Sequence, residues 1–123
     1  MVRFVILLAT LGIAATPAMS AAGDAKKGEV VFRQCQLCHT ATKNGGNGLG
    51  PNLFGVVGRK AAAVPNFGYS PALKNAHIVW SEDELKKWLA NPQKLVPGTR
   101  MAFAGISSPQ DIADIIAYLQ TRK

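Results

Sequence analysis

The chain has 123 residues and is poor in acid, in aromatic rings and in sulfur. Its two cysteines, Cys35 and Cys38, exclude a scaffold stapled by several disulfides. Its two histidines are His39 and His77, so beyond the Cys35–His39 segment His77 is the only obvious nitrogen or sulfur donor left for a four-ligand zinc site. No segment alternates apolar and polar residues convincingly, which excludes a sheet-based fold. Repeats and low-complexity tracts are missing, which excludes a solenoid or a linker array. The apolar run Phe4–Ala15 is too short for an ordinary membrane span. Acidic residues number seven against 14 basic ones, yet the basic ones form no dense cluster of the kind that grips nucleic acid.

What is present falls into two parts. Arg3, the apolar run and the small residues up to Ala22 make a secretory signal peptide over residues 1–22. Cleavage after Ser20 or after Ala22 satisfies the small-residue rule, and Ala22 is preferred because Gly23-Asp24 opens the next segment. Residues 23–123 then form one small domain. Arg3 leaves with the leader, so this domain carries 13 basic and seven acidic residues, a net +6. Such a charge favours acidic protein surfaces, anionic membrane or nucleic acid, and export makes nucleic acid the least expected of the three. A domain this small often leans on a metal or cofactor.

The expected class is all-α, with about four helices and long loops. The first helix is expected over Asp24–Gln36, with Asp24 as N-cap. A glycine-rich loop follows from Thr40 to Phe67, too long for a compact domain unless it packs on a ligand. A short helix is expected over Ser70–Ala76, with Pro71 in its first turn. Ser81 and Glu84 read as a capping box ahead of Leu85, Trp88 and Leu89, and Asn91-Pro92 ends that helix. A loop over Gln93–Ser107 leads to a last helix capped by Ser108, with the stripe Ile112, Ile115, Ile116 and Leu119.

Cys35-Gln36-Leu37-Cys38-His39 is the c-type haem attachment pattern. Two thiols at this spacing can add across the porphyrin's two vinyl groups, and the adjacent imidazole can reach the iron. A redox CxxC pair would prefer a strand–helix context, which is missing here. A plain disulfide and a zinc site stand as rival readings. For a sixth iron ligand the domain offers Met101, since Met1 and Met19 lie in the leader. A loop methionine is otherwise core filler, and His77 competes for the role.

Taken together, Gly23-Asp24, Gly28, Phe32, CQLCHT, GLGPNLFGVVGRK, Tyr69-Ser70, Trp80, Asn91-Pro92, PGTRMAFAGI and Ile116–Leu119 resemble class I cytochromes c. The likeness is to the bacterial cytochrome c2 and mitochondrial branch, and it spans residues 23–123 with the motifs in order. It implies one haem c, with thioethers on Cys35 and Cys38 and iron ligated by His39 and Met101. It implies that the backbone near Pro51 meets the histidine's second nitrogen. Arg59, Tyr69, Trp80 and Thr99 would surround the haem, the first three near its propionates. Gly28, Phe32 and Tyr118 would form the crossing of the first and last helices.

Two positions depart from that pattern. Trp88 stands where relatives commonly carry a tyrosine bonded to the methionine sulfur, and Leu73 where many carry an asparagine. Both changes predict a drier pocket and an altered reduction potential. The resemblance implies a soluble, monomeric electron carrier of the periplasm rather than an enzyme. A bc1-type complex would be its donor, and a terminal oxidase or photosynthetic reaction centre its acceptor; a dehydrogenase partner is the rival. Lys94 and Arg100 are candidate docking charges, with Lys43, Lys60 and Lys74 behind them. Gln34, Gly48 and Gln93 are neutral where mitochondrial relatives are often basic. A second CxxCH, needed for a di-haem peroxidase, is missing.

Overall fold

Helix boundaries follow from which side chains can satisfy the orphan backbone N–H groups of a first turn. In the computed structural model, which describes residues 12–14 and 22–123, Asp24 accepts from the N–H of Lys26 at 2.9 Å and of Lys27 at 3.2 Å. It thereby starts α1, Ala25–Phe32. The expected leader, residues 1–22, lies almost wholly outside the described residues. α1 is shorter than its apolar spacing suggests. Arg33 N–H turns back to Val30 O at 3.2 Å, and the chain re-forms as a 3₁₀ turn at Cys35–Leu37. Side chains three apart eclipse in 3₁₀ geometry, which suits two thiols three residues apart.

α2 covers Pro71–Ala76 and α3 covers Glu82–Ala90. Ser70 Oγ accepts from Leu73 N–H at 3.1 Å, and Ser81 Oγ from Glu84 N–H at 3.2 Å. The capping box at α3 is only half formed. Glu84 turns to Lys87 Nζ at 3.1 Å, and Ser81 N–H donates to Val79 O at 2.7 Å instead. Asn91-Pro92 ends α3 as expected but also begins a further single turn, α4, Pro92–Leu95. Asn91 caps it by accepting from Lys94 N–H at 3.1 Å, and proline at the first position costs no hydrogen bond. The loop expected from Gln93 therefore starts at Val96. α5 covers Pro109–Gln120, capped by Ser108. Five α-helices and no strand are present among the described residues. The fold is all-α, and none of these helices is long and apolar enough to cross a membrane.

α1 and α5 cross at the heart of the core. Phe32 and Ile115 are each 1 % exposed, and burying side chains of that size stabilises by ~1.5–3 kcal/mol apiece. The Phe32 and Tyr118 rings pack with centroids 5.1 Å apart. Gly28 permits the crossing, because a Cβ there would overlap the Asp114 carbonyl. Asp114 lies on the buried side of α5 at 2 % exposure, and its carboxylate accepts from Asp24 N–H at 2.8 Å and Gln110 Nε2 at 2.9 Å. Those bonds hold its pKa below the ordinary 3.8, the Asp24 N–H contributing most. The acid thus pins the start of α1 to α5.

Between these helices and α3 the long loop 40–67 forms the remaining walls. One isolated antiparallel bridge, Lys60 to Val79, ties it to the segment before α3. Trp80 N–H donates to Arg59 O at 2.8 Å and Gly58 N–H to Trp80 O at 2.7 Å, which fixes Arg59 and Trp80 relative to each other.

Candidate functional site

The 3₁₀ turn carries the first part of the site. Cys38 N–H and His39 N–H both bond to Cys35 O, at 3.0 and 2.8 Å, so the three residues share one tight turn. Cys35 and Cys38 are not joined to each other, and both are half-buried. Burial, and then the proximity of Cys38, push the Cys35 thiol up to about 11.

His39 is fixed by the loop that follows. Its Nδ1 lies 2.7 Å from Pro51 O. A carbonyl oxygen can only accept, so Nδ1 carries the hydrogen and Nε2 keeps its lone pair. Burial lowers the His39 pKa, with the Pro51 carbonyl opposing, and the neutral ring is favoured. Gly50 makes the approach possible, since a Cβ there would sit 2.6 Å from His39 Nδ1. Gly50 N–H in turn donates to Cys38 O at 2.9 Å.

The imidazole lines a largely apolar cavity that is open to solvent on one side. Cys35, His39, Arg59, Tyr69, Trp80 and Met101 all line it. So do Leu73 and Trp88, the two departures. Trp88 packs on Trp80 with ring centroids 5.1 Å apart and planes at 56°. Trp88 and Leu73 stand where the resemblance leads one to expect a hydroxyl and an amide, and indole offers one donor and no acceptor.

Arg59 is held by backbone carbonyls, Nη1 to Phe54 O at 3.0 Å and Nη2 to Asn52 O at 3.1 Å. Burial lowers its pKa, with Tyr69 opposing, although guanidinium stays charged. Tyr69 is buried, and its hydroxyl oxygen accepts from Val64 N–H at 3.0 Å. Its own O–H is left to donate elsewhere.

Two expected residues lie off the wall. Cys38, one residue before His39, is half-buried and does not line the cavity. Thr99 is a buried member of the loop that carries Met101, with its carbonyl accepting from Gln93 Nε2 at 2.7 Å. His77, the competing iron ligand, is the left-handed residue that ends α2 (φ 52°); it is exposed and does not line the cavity. Lys60 does line it, and loop position gave no sign of that.

The donor set fits a haem. Imidazole nitrogen and thioether sulfur are iron ligands, thiols at CxxCH spacing attach the macrocycle, and the walls are largely apolar. Guanidinium, phenol and indole donors at the same cavity suit carboxylates taken out of water. Helices packed around an apolar cavity, with this set on its walls, define a small haem-binding electron carrier.

Comparison with known proteins narrows the class. The family model for cytochrome c matches residues 25–123. Cytochrome c2 of Rhodomicrobium vannielii is 50% identical over 102 residues, covering 83% of this chain and 82% of its own. Cytochrome c of Euglena viridis is 51% identical over 102 residues, covering 82% and 99%. The solved structure of cytochrome cH from Methylobacterium extorquens superimposes with a TM-score of 0.76 at 50% identity, covering 80% of this chain and 99% of that one. The chain belongs to the cytochrome c family. It is an electron-transfer protein rather than an enzyme, with covalently attached haem c as cofactor.

Proposed function

We propose that this protein is a soluble periplasmic carrier of single electrons, working through a haem c held on Cys35 and Cys38 with iron ligated by His39 and Met101. The observation that carries this reading is the shared cavity: His39, oriented by Pro51, and Met101 line the same space. Haem supplies, when bound, an iron that passes between ferric and ferrous without bond changes in any substrate. The protein's own residues do the rest. Pro51 O keeps the imidazole hydrogen on Nδ1 and so leaves Nε2 for the metal. Met101, a neutral ligand, favours the reduced state relative to an anionic one. With His39 and Met101 both holding the iron, little would need to rearrange when its charge changes. Leu73, Trp88 and Trp80 keep water from one wall, while Arg59 and Tyr69 offer donors to the propionates.

In this reading, residues 1–22 direct export and are removed, and the domain 23–123 acts as a monomer between a bc1-type donor and a terminal oxidase or photosynthetic reaction centre. A dehydrogenase donor is the alternative. The net +6 of that domain supports docking to acidic surfaces.

A redox titration of the holoprotein with and without carbon monoxide tests this. A one-electron Nernst curve, a low-spin spectrum in both states and no rapid response to carbon monoxide are expected. A high-spin spectrum with immediate carbon monoxide binding would mean an open iron and a gas-binding or catalytic role.

A further inference from the structure

We propose that Gln93 is a positioning residue, whose side chain clamps the Met101 loop against the cavity; this rests on the reading of Met101 as iron ligand. The loop springs from a firm base. Pro92 is among the most deeply buried side chains, and Asn91 caps the turn α4 by accepting from Lys94 N–H at 3.1 Å. Past Val96 the backbone has few partners of its own. Thr99 N–H reaches Val96 O at 3.1 Å, and Phe103 N–H reaches Met101 O at 3.0 Å. Between these lies the Thr99 carbonyl, in a residue 7 % exposed. Its one donor among the described residues is Gln93 Nε2, at 2.7 Å.

That bond closes residues 93–99 into a ring two residues short of Met101. It sets the distance from α4 to the point where the methionine turns toward His39's cavity. The next residue, Arg100, leaves the loop in another direction, donating from Nη1 to Gly68 O at 3.1 Å. Met101 is therefore preceded by one tether back to α4 and one out to the neighbouring loop. Losing the Gln93 tether would leave the Thr99 carbonyl without a protein partner and loosen the loop by an amount set by one hydrogen bond, about two- to tenfold in its opening equilibrium.

The test uses imidazole as a probe for loop opening in the ferric holoprotein, because an outside ligand binds only when Met101 has left the iron. Gln93→Leu removes the donor at similar size, and Gln93→Asn is too short to reach. Both are expected to bind imidazole about two- to tenfold more tightly than the parent. Gln93→Arg keeps an N–H donor within reach and is expected to stay near the parent. Lys86→Ala, exposed on α3, is expected to leave imidazole affinity unchanged. Equal imidazole affinity in Gln93→Leu, Gln93→Asn and the parent would overturn the clamp. Met101→Ala separates this from the underlying reading: loss of the far-red ferric band there upholds the ligand, whereas an unchanged band removes both ligand and clamp.

Discussion

His39 Nδ1 donates to Pro51 O across 2.7 Å, joining the 3₁₀ turn of the cysteine motif to a loop residue twelve positions further on. This bond assigns the imidazole its tautomer and its direction. Such outer contacts set both orientation and ligand strength at a metal. Gly50 stands directly behind the ring. The variant Gly50→Ala would put its Cβ 2.6 Å from Nδ1 and force the ring or the loop aside. It is expected to raise the high-spin fraction of the ferric holoprotein, read by absorption spectroscopy. An unchanged low-spin spectrum would show that the loop yields instead.

Trp88 and Leu73 line the cavity where the resemblance to class I cytochromes c leads one to expect a hydroxyl and an amide. Replacing Trp88 by tyrosine would introduce a group able to bond the ligand sulfur or a water. One hydrogen bond that differs between oxidation states by about 0.5–1.5 kcal/mol moves a one-electron midpoint by roughly 20–60 mV. Trp88→Tyr is expected to shift the midpoint on that scale. Superimposable potentiometric titrations would refute the role given to this wall.

The α1–α5 crossing depends on Gly28, where any Cβ meets the Asp114 carbonyl. Backbone cannot swing away as a side chain can. Gly28→Val is expected to destabilise the holoprotein by about 1–3 kcal/mol or more, as overpacking does. Denaturant unfolding followed by tryptophan fluorescence measures it, and a midpoint within error of the parent would contradict the packing account.

Asp114 makes acid stability a sharper probe of the same crossing. Its folded pKa lies below the ordinary 3.8, chiefly through the Asp24 N–H. The stabilisation it confers is fully present above the ordinary value and is lost as pH falls through the folded one. Asp114→Asn should therefore be less stable than the parent at neutral pH, and the gap should close in strong acid. Parallel stability curves from neutral pH down to strong acid would assign the loss to packing alone.

Much of this was legible in the residues, and the parts that were not have physical causes. Caps were readable at Asp24, Ser81 and Ser108, because an oxygen side chain ahead of an apolar stripe has one efficient use; Ser70, expected inside its helix, is instead its cap. The end of α1 was not, since Cys35 continues the apolar face while the backbone has already tightened. α4 was hidden because proline after asparagine stops one helix and starts the next by the same geometry. Asp114 sits within the stripe Ile112–Ile116, and that lone acid among isoleucines was a usable signal. Thr99 and Gln93 were unreadable in their present roles, as their bond depends on how the loop folds back on α4.

Charge steering makes a kinetic prediction. Lys94 and Arg100 are exposed at the base and tip of the methionine loop. Association with an acidic redox partner is expected to slow steeply as ionic strength rises, and Lys94→Glu to flatten that dependence. Stopped-flow rates indifferent to salt would place docking elsewhere.

Proton NMR of the ferrous holoprotein tests the central claim most directly. A methionine bound to haem iron carries its methyl resonance far upfield, isolated from the rest of the spectrum. Met101 is the one methionine of residues 23–123, so one such singlet is expected, and Met101→Ala should abolish it. A spectrum without a shifted methyl, or a singlet that survives the substitution, would contradict a closed His39/Met101 site.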